Sequence, residues 1–380
     1  MGQRITMGTY RVHDDDISYV TNALKSEYLS TGRELKEFEN SVAEICNKSF
    51  GLMVNSGQSA LEVALEMAKV KLNKDSLRVI IPATTYAATL WAIINTGCTP
   101  VFCDVDETYN LDYSKINYST AFADVVLAVD LCGKVATPPQ EIRDKYFIIE
   151  DACEAMGNLS CNYGDIICYS FYVSHIITTG CGGMVCVNDE DLYKFGVSHI
   201  SHGRQFGGDF TDYQDEWSDR FFFDKVGTSL RSNNLLGALG QSQLLRLNDM
   251  IISRKANAKR LIDRYNQSKV LQEYYIFPNE EYLEECIFQF FPIVVRNKKI
   301  DREKLLKKLF KEGIDSRVLL SLTNQPIFIE KYGDIASKYE RSNYYNDYGF
   351  IVGCHQELCL DDMDYLANAL HHCATLIGEK

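Results

Sequence analysis

The feature that most constrains this 380-residue chain is an alternation. Short, almost wholly apolar runs fall at residues 51–54, 79–81, 100–103, 125–129, 146–149, 166–171 and 184–187. Segments of helical spacing, such as residues 86–95 and 138–143, lie between several of them. Strands this short and this apolar are buried on both faces, and strands that alternate with helices build a mostly parallel sheet with helical cover. The first run leads through Asn55, Ser56, Gly57, Gln58 and Ser59 into a stretch where Leu61, Ala64, Leu65 and Ala68 recur at helical spacing. That is strand, small-residue turn, helix.

Upstream, Asp14, Asp15 and Asp16 are expected to open a helix with an Asp at its N-cap, and a second helix is expected over residues 34–46. Residues 235–266 read as one long helix with its basic residues on the outer side. Beyond about residue 271 the character changes. Residues 287–295 and 349–352 read as strands, and 301–312 and 361–376 as helices. The expected architecture is therefore α/β: a large, mostly parallel-sheet domain over residues 1–250 and a small α+β domain over 251–380.

Composition excludes some partners. A formal charge of −13 repels a polyanion, so no nucleic-acid partner is expected. Residues 1–10 hold no sustained apolar run and no stretch of about 18 apolar residues occurs. The expectation is a cytoplasmic chain with no membrane partner. The 13 cysteines include no C-x-x-C pair, which argues for buried thiols and against disulfides, zinc or iron–sulfur sites.

Three segments can carry chemistry. The small residues 55–59 let backbone N–H groups approach a phosphate at a helix N-terminus, although alone they read as an ordinary capped helix start. Asp151 and Glu154 follow an apolar strand, where ligands bind in open α/β sheets; capping by Asp151 is the plain alternative. Ser170, Ser174, His175, Thr178 and Thr179 surround a strand end and are followed by Gly180, Gly182 and Gly183, which permit tight turns. A carboxylate at a strand end can also hold a protonated ring nitrogen.

The ordered set of motifs resembles the DegT/DnrJ/EryC1/StrS family of sugar aminotransferases. The matching landmarks are Asn55-Ser-Gly-Gln-Ser-Ala60, Pro82-Ala-Thr-Thr-Tyr86-Ala-Ala-Thr89, Pro100-Val-Phe-Cys-Asp104, Glu150-Asp151-Ala152, Ser170-Phe-Tyr172, Thr178-Thr-Gly-Cys-Gly-Gly-Met184 and His202-Gly203-Arg204. They continue through Leu230-Arg231 to Gly353-Cys-His355, in order over nearly the full length. The resemblance implies a PLP-dependent transferase fold of type I (aspartate aminotransferase-like) and pyridoxal 5'-phosphate or pyridoxamine 5'-phosphate as cofactor. It also implies roles. Asp151 pairs with the pyridine nitrogen and Tyr86 stacks on the ring. Gly57 and Gln58 offer N–H groups to the phosphate, with the Ser170 hydroxyl. Glu154 lies near the ring hydroxyl or the substrate.

Family members usually carry lysine where this chain has His175. An imidazole cannot form the stable imine that a lysine forms with the cofactor aldehyde, but it can transfer protons near neutral pH. The histidine marks a branch that removes the C3 hydroxyl from a 4-keto-6-deoxy nucleotide sugar, with glutamate regenerating the amine form. A homodimer is implied, because the fold completes its site across the subunit boundary. Ser229 stands where the family has an Asn that reaches the partner's phosphate, Gln58 replaces a small hydroxyl residue, and Cys181 a common Glu. Two other readings stay open: a nucleotide-sugar aminotransferase with a displaced lysine, for which Lys194 is poorly placed, and a degenerate binding or regulatory protein.

Other features take plainer readings. His199 and His202 order a polar loop, and His355 packs or touches substrate. Residues 221–223 are core or dimer surface, residues 209–219 a solvated excursion, and His371 and His372 a helix surface.

Overall fold

The computed structural model describes residues 5–116, 122–205, 221–298 and 300–378. The expected excursion at 209–219 lies outside the described residues.

A seven-stranded sheet organises the first unit. Its strands are β1 (Phe50–Val54), β2 (Arg78–Pro82), β3 (Thr99–Cys103), β4 (Val125–Val129), β5 (Phe147–Asp151), β6 (Ile166–Ser170) and β7 (Gly183–Val187), in the order β1-β7-β6-β5-β4-β2-β3. Every pairing is parallel except the two made by β7, which runs against both neighbours. All residues of β4, β6 and β7 are buried, as two-sided cover requires. The C-terminal ends of β1, β2, β4, β5 and β6 thus share one edge, where β7 begins. The PLP-dependent transferase fold of type I, expected from the motifs, is the fold observed.

Helix α3 (Gly57–Leu72) starts where β1 ends. Its N-cap Ser56 accepts the Ser59 N–H at 3.1 Å, and Asn73 closes it in the left-handed region. Helix α4 (Ala87–Asn95) follows β2.

Local details depart from the sequence reading. The N-cap of α1 (Asp14–Lys25) is His13, not an aspartate. Asp16 accepts the His13 N–H at 2.9 Å and is buried against Ser242 and Arg246, at 2.5 and 2.7 Å. The expected long helix is two helices, α7 (Asn234–Leu244) and α8 (Leu247–Gln267). The junction is where Arg246 leaves helical geometry and pairs with Asp16. Nor are the basic residues of α8 all outward, since Arg254 is buried. The strand expected from 287 begins only at Phe291, because Phe288 has a φ of 53° and breaks the ladder.

A four-stranded antiparallel sheet forms the second unit, in the order β10 (Ser316–Val318), β11 (Gly349–Val352), β9 (Phe291–Val295), β8 (Tyr275–Ile276). Helix α8 packs on α14 (Leu360–Gly378) of this unit and runs through residue 250, where the division was expected. Ile5 joins the second unit through its N–H to Gly313, at 2.9 Å. No helix among the described residues is long and apolar enough to cross a membrane.

Candidate active site

The shared edge of the large sheet brings the expected residues together in two groups. Val54 and Ser170 both sit opposite Gly183 in the ladders, so the ends of β1 and β6 flank the start of β7. A side chain at Gly183 would meet the Ser56 carbonyl at 2.3 Å. One at Gly57 would meet Ser170 Cβ at 2.6 Å and Cys153 Sγ at 3.3 Å. Only glycine lets the start of α3 lie on the Ser170 strand end. There the first-turn N–H groups of Gly57 and Gln58 have no intrahelical acceptor. The Gln58 side chain turns away, with Nε2 donating to Glu62 at 2.9 Å. The unusual residue therefore leaves the cradle to its backbone.

The second group belongs to β5 and its following turn. Asp151 is 5% exposed. Its carboxylate accepts the Thr89 hydroxyl at 3.1 Å and the Cys153 N–H at 3.3 Å. Burial pushes its pKa up, and no positively charged side chain bonds it among the described residues. Glu154 accepts the Cys132 N–H at 2.6 Å. Burial, with the charge of Asp151 added, pushes Glu154 up to about 7. Cys132 holds a left-handed φ of 59° to make that contact.

His175 lies in the turn after β6, its N–H donating to the Tyr172 carbonyl at 2.9 Å. The ring is half-buried, with Nδ1 sealed from solvent and unpartnered among the described residues. Burial, then the nearby Arg254 charge, pushes its pKa down to about 4. The turn is braced on Gln243, which accepts the Thr178 N–H at 2.8 Å and donates to the Thr178 carbonyl.

Tyr86, at the N-cap of α4, is 74% exposed and stacks on no ring among the described residues. Ser229 is exposed and bridges to Ser201. Its neighbour Leu230 accepts the Asn55 N–H at 2.9 Å, which brings that segment beside the cradle, but Ser229 itself bonds no cradle residue among the described contacts. Sequence reading missed three residues that support the site: Thr89, Arg254 and Gln289. Thr89 stood inside a quoted motif. Arg254 and Gln289 act through contacts distant in sequence, which no local pattern reveals.

The remaining histidines follow the plainer readings. His355 is buried and bonds Thr6 at 3.1 Å, His202 contacts Arg231 at 3.3 Å, and His199 stacks on Phe195. Phe221, Phe222 and Phe223 are surface residues. The cysteines among the described residues are all free. On the opposite side of β5, donor atoms of Asp130, Glu150 and Cys161 lie within 4.8 Å of one another, all buried.

Comparison with known proteins gives this geometry a context. The model of the DegT/DnrJ/EryC1/StrS aminotransferase family matches residues 11–371. The GDP-4-keto-6-deoxy-D-mannose 3-dehydratase of Yersinia pseudotuberculosis is 28% identical, over 94% of this chain and 95% of that protein. The GDP-perosamine synthase of Caulobacter vibrioides is 31% identical, over 70% of each chain. Among solved structures, GDP-4-keto-6-deoxymannose-3-dehydratase with a trapped PLP-glutamate geminal diamine superposes with a TM-score of 0.85. It is 23% identical, over 96% of this chain and all (100%) of that one.

Proposed function

The chain belongs to the DegT/DnrJ/EryC1/StrS aminotransferase family, and from that premise we propose that it is a pyridoxamine-phosphate-dependent enzyme that removes the C3 hydroxyl from a 4-keto-6-deoxy nucleotide sugar. The observation that carries this reading is His175, a half-buried imidazole in the turn after β6, where an aminotransferase of this family needs a lysine. The nearest lysine along the chain, Lys194, is exposed on a helix and pairs with Glu190 at 2.8 Å.

The residues present fit the cofactor. The glycine-lined start of α3 leaves two N–H groups and the Ser170 hydroxyl for a phosphate. Asp151 is a buried carboxylate with no cation bonded to it among the described residues, and a protonated ring nitrogen would supply one. The exposed Tyr86 is free to cover a ring. Bound there, the cofactor supplies an amine that condenses with a ketone and a ring that withdraws electrons.

The chain's own residues supply the rest. Asp151, as carboxylate, holds the proton of the ring nitrogen. Glu154, half-ionised near neutral pH, can exchange a proton with a hydroxyl beside it. His175 is uncharged at pH 7, the form that accepts a proton, and its Nδ1 is buried with no partner among the described residues. We assign it the proton removed during elimination, which it can return to the departing C3 hydroxyl. Over the full cycle glutamate is oxidised to 2-oxoglutarate and ammonia while the sugar loses its C3 oxygen as water. The reading includes a homodimer, as the family resemblance implies, in which a second copy's Ser229 segment would complete this edge.

Aminotransfer is the second reading, favoured by the 31% identity to a perosamine synthase. One assay separates the two. The protein is incubated with pyridoxamine phosphate, glutamate and a 4-keto-6-deoxy nucleotide sugar, and ammonia and product mass are followed. Dehydration gives ammonia and a sugar lacking one oxygen. In His175→Asn both fall by about 10²–10⁴-fold while cofactor binding persists. An amino sugar without ammonia establishes the second reading, and absence of cofactor binding overturns both.

A further inference from the structure

We infer that Gln289 is a positioning residue, a strut that locks the turn carrying His175 to the Cys132 turn that holds Glu154. The inference rests on the dehydratase reading only in naming His175 as the base. Gln289 is wholly buried. Its side-chain Nε2 donates to the carbonyl of Ser174, the residue before His175. Its backbone N–H donates to the Cys132 carbonyl at 2.9 Å, and the Cys132 N–H in turn holds Glu154 Oε2 at 2.6 Å. A third contact fixes the strut from behind: Arg254 Nη1 donates to the Gln289 carbonyl at 3.0 Å. One residue therefore links the turn that carries the proposed base to the Cys132 turn that holds the proposed acidic partner.

The backbone around it is strained. Cys132 and Phe288 hold left-handed φ values of 59° and 53°, a region that non-glycine residues rarely occupy. Strain of this kind persists where surrounding structure over-determines a conformation, and it concentrates at functional sites. Here the two strained residues meet at one joint. The turn at Phe288 presents Gln289 to Ser174, and the turn at Cys132 presents its N–H to Glu154. The strut is polar for a reason: the Ser174 carbonyl is held by a buried side chain, and an apolar one of the same length would leave it without that donor. Misplacing a reacting group by about 1 Å can cost about 100-fold in rate.

The test uses Gln289→Met, which keeps the length and removes the amide. Protein labelled with ¹⁵N at its histidine rings is studied with and without pyridoxamine phosphate, and the His175 signals are assigned by their loss in His175→Asn. The expected result is a displaced His175 ring signal and a kcat lower by about 10–100-fold, with KM for the nucleotide sugar within about twofold. A purely space-filling role would leave ring signals and kcat as in the parent, and that outcome overturns the inference. Should Gln289→Met fail to fold, Gln289→Leu serves. The isobutyl side chain of that variant has no donor for Ser174, so unchanged His175 signals there would equally overturn the strut. If the parent shows no turnover, the dehydratase reading fails, but the ring signals still decide the role of Gln289.

Discussion

Strand β5 ends in two consecutive carboxylates that share a backbone and differ in their surroundings. Glu150 and Asp151 are both buried, and burial raises the pKa of both. Successive side chains on a strand point to opposite faces, so the two enter different environments. Glu150 accepts the Gly164 N–H at 2.9 Å and lies among Asp130, Cys161 and Tyr163, whose hydroxyl donates to Asp130 at 2.9 Å. That pocket is filled with other acids and weak donors, and burial, with the charge of Asp130 beside Glu150, raises the pKa of its carboxyls. Asp151 has two neutral donors and faces the edge where the α3 cradle, Glu154 and the His175 turn converge. No cationic side chain bonds it among the described residues. The comparison teaches that a buried carboxylate becomes a site when its pocket leaves space for a counter-charge.

The comparison can be broken most directly at Asp151. Asp151→Asn keeps the shape and removes the charge. The expected losses are about 10²–10³-fold in turnover and weaker retention of pyridoxamine phosphate, the scale of breaking a buried ion pair. Undiminished turnover would mean that Asp151 is buried for the same reason as Glu150.

A smaller effect sharpens the edge itself. With Glu154 raised to about 7, the rate profile of the parent has an inflection near pH 7, where the carboxyl loses its proton as pH rises. Glu154→Gln removes that inflection; a profile that keeps it assigns the titration to another group.

The smallest effect belongs to the other face, and it concerns stability. Burial raises Asp130 from 3.8 to about 7. Between those values the folded chain holds a proton that the unfolded chain has lost, so stability falls as pH rises through that window. The slope from this one group is at most about 1.4 kcal/mol per pH unit. Asp130→Asn is expected to flatten the decline of Tm between pH 4 and 7 and to leave turnover within about threefold. A collapse of turnover would show that the two faces of β5 are not independent.

Much of the large unit was legible from local pattern. Each short apolar run became a strand within a residue or two, because two-sided burial leaves no polar position inside it. The cradle was legible in the glycines and small hydroxyl residues around Gly57, and the strand-end placement of Asp151 and His175 followed from where each run stopped. The end of the apolar run at 149 was less informative. Glu150 and Asp151 extend the ladder as polar residues, and only their pairing with β4 and β6 accommodates them.

By itself the sequence determined the order of strands and helices, the type of fold, and which residues could bear the chemistry. The first depends on periodicity, turn chemistry and residue type, all local; the other two came through the ordered motifs shared with the family. The tertiary structure alone decided that Arg246 breaks a helix to reach Asp16, 230 positions away, and that Gln289 grips Ser174 across 115 positions. It alone decided that Arg254 is buried near His175. Whether a polar side chain is exposed, paired or strained into place depends on what the rest of the chain packs around it, and no window along the sequence contains that partner.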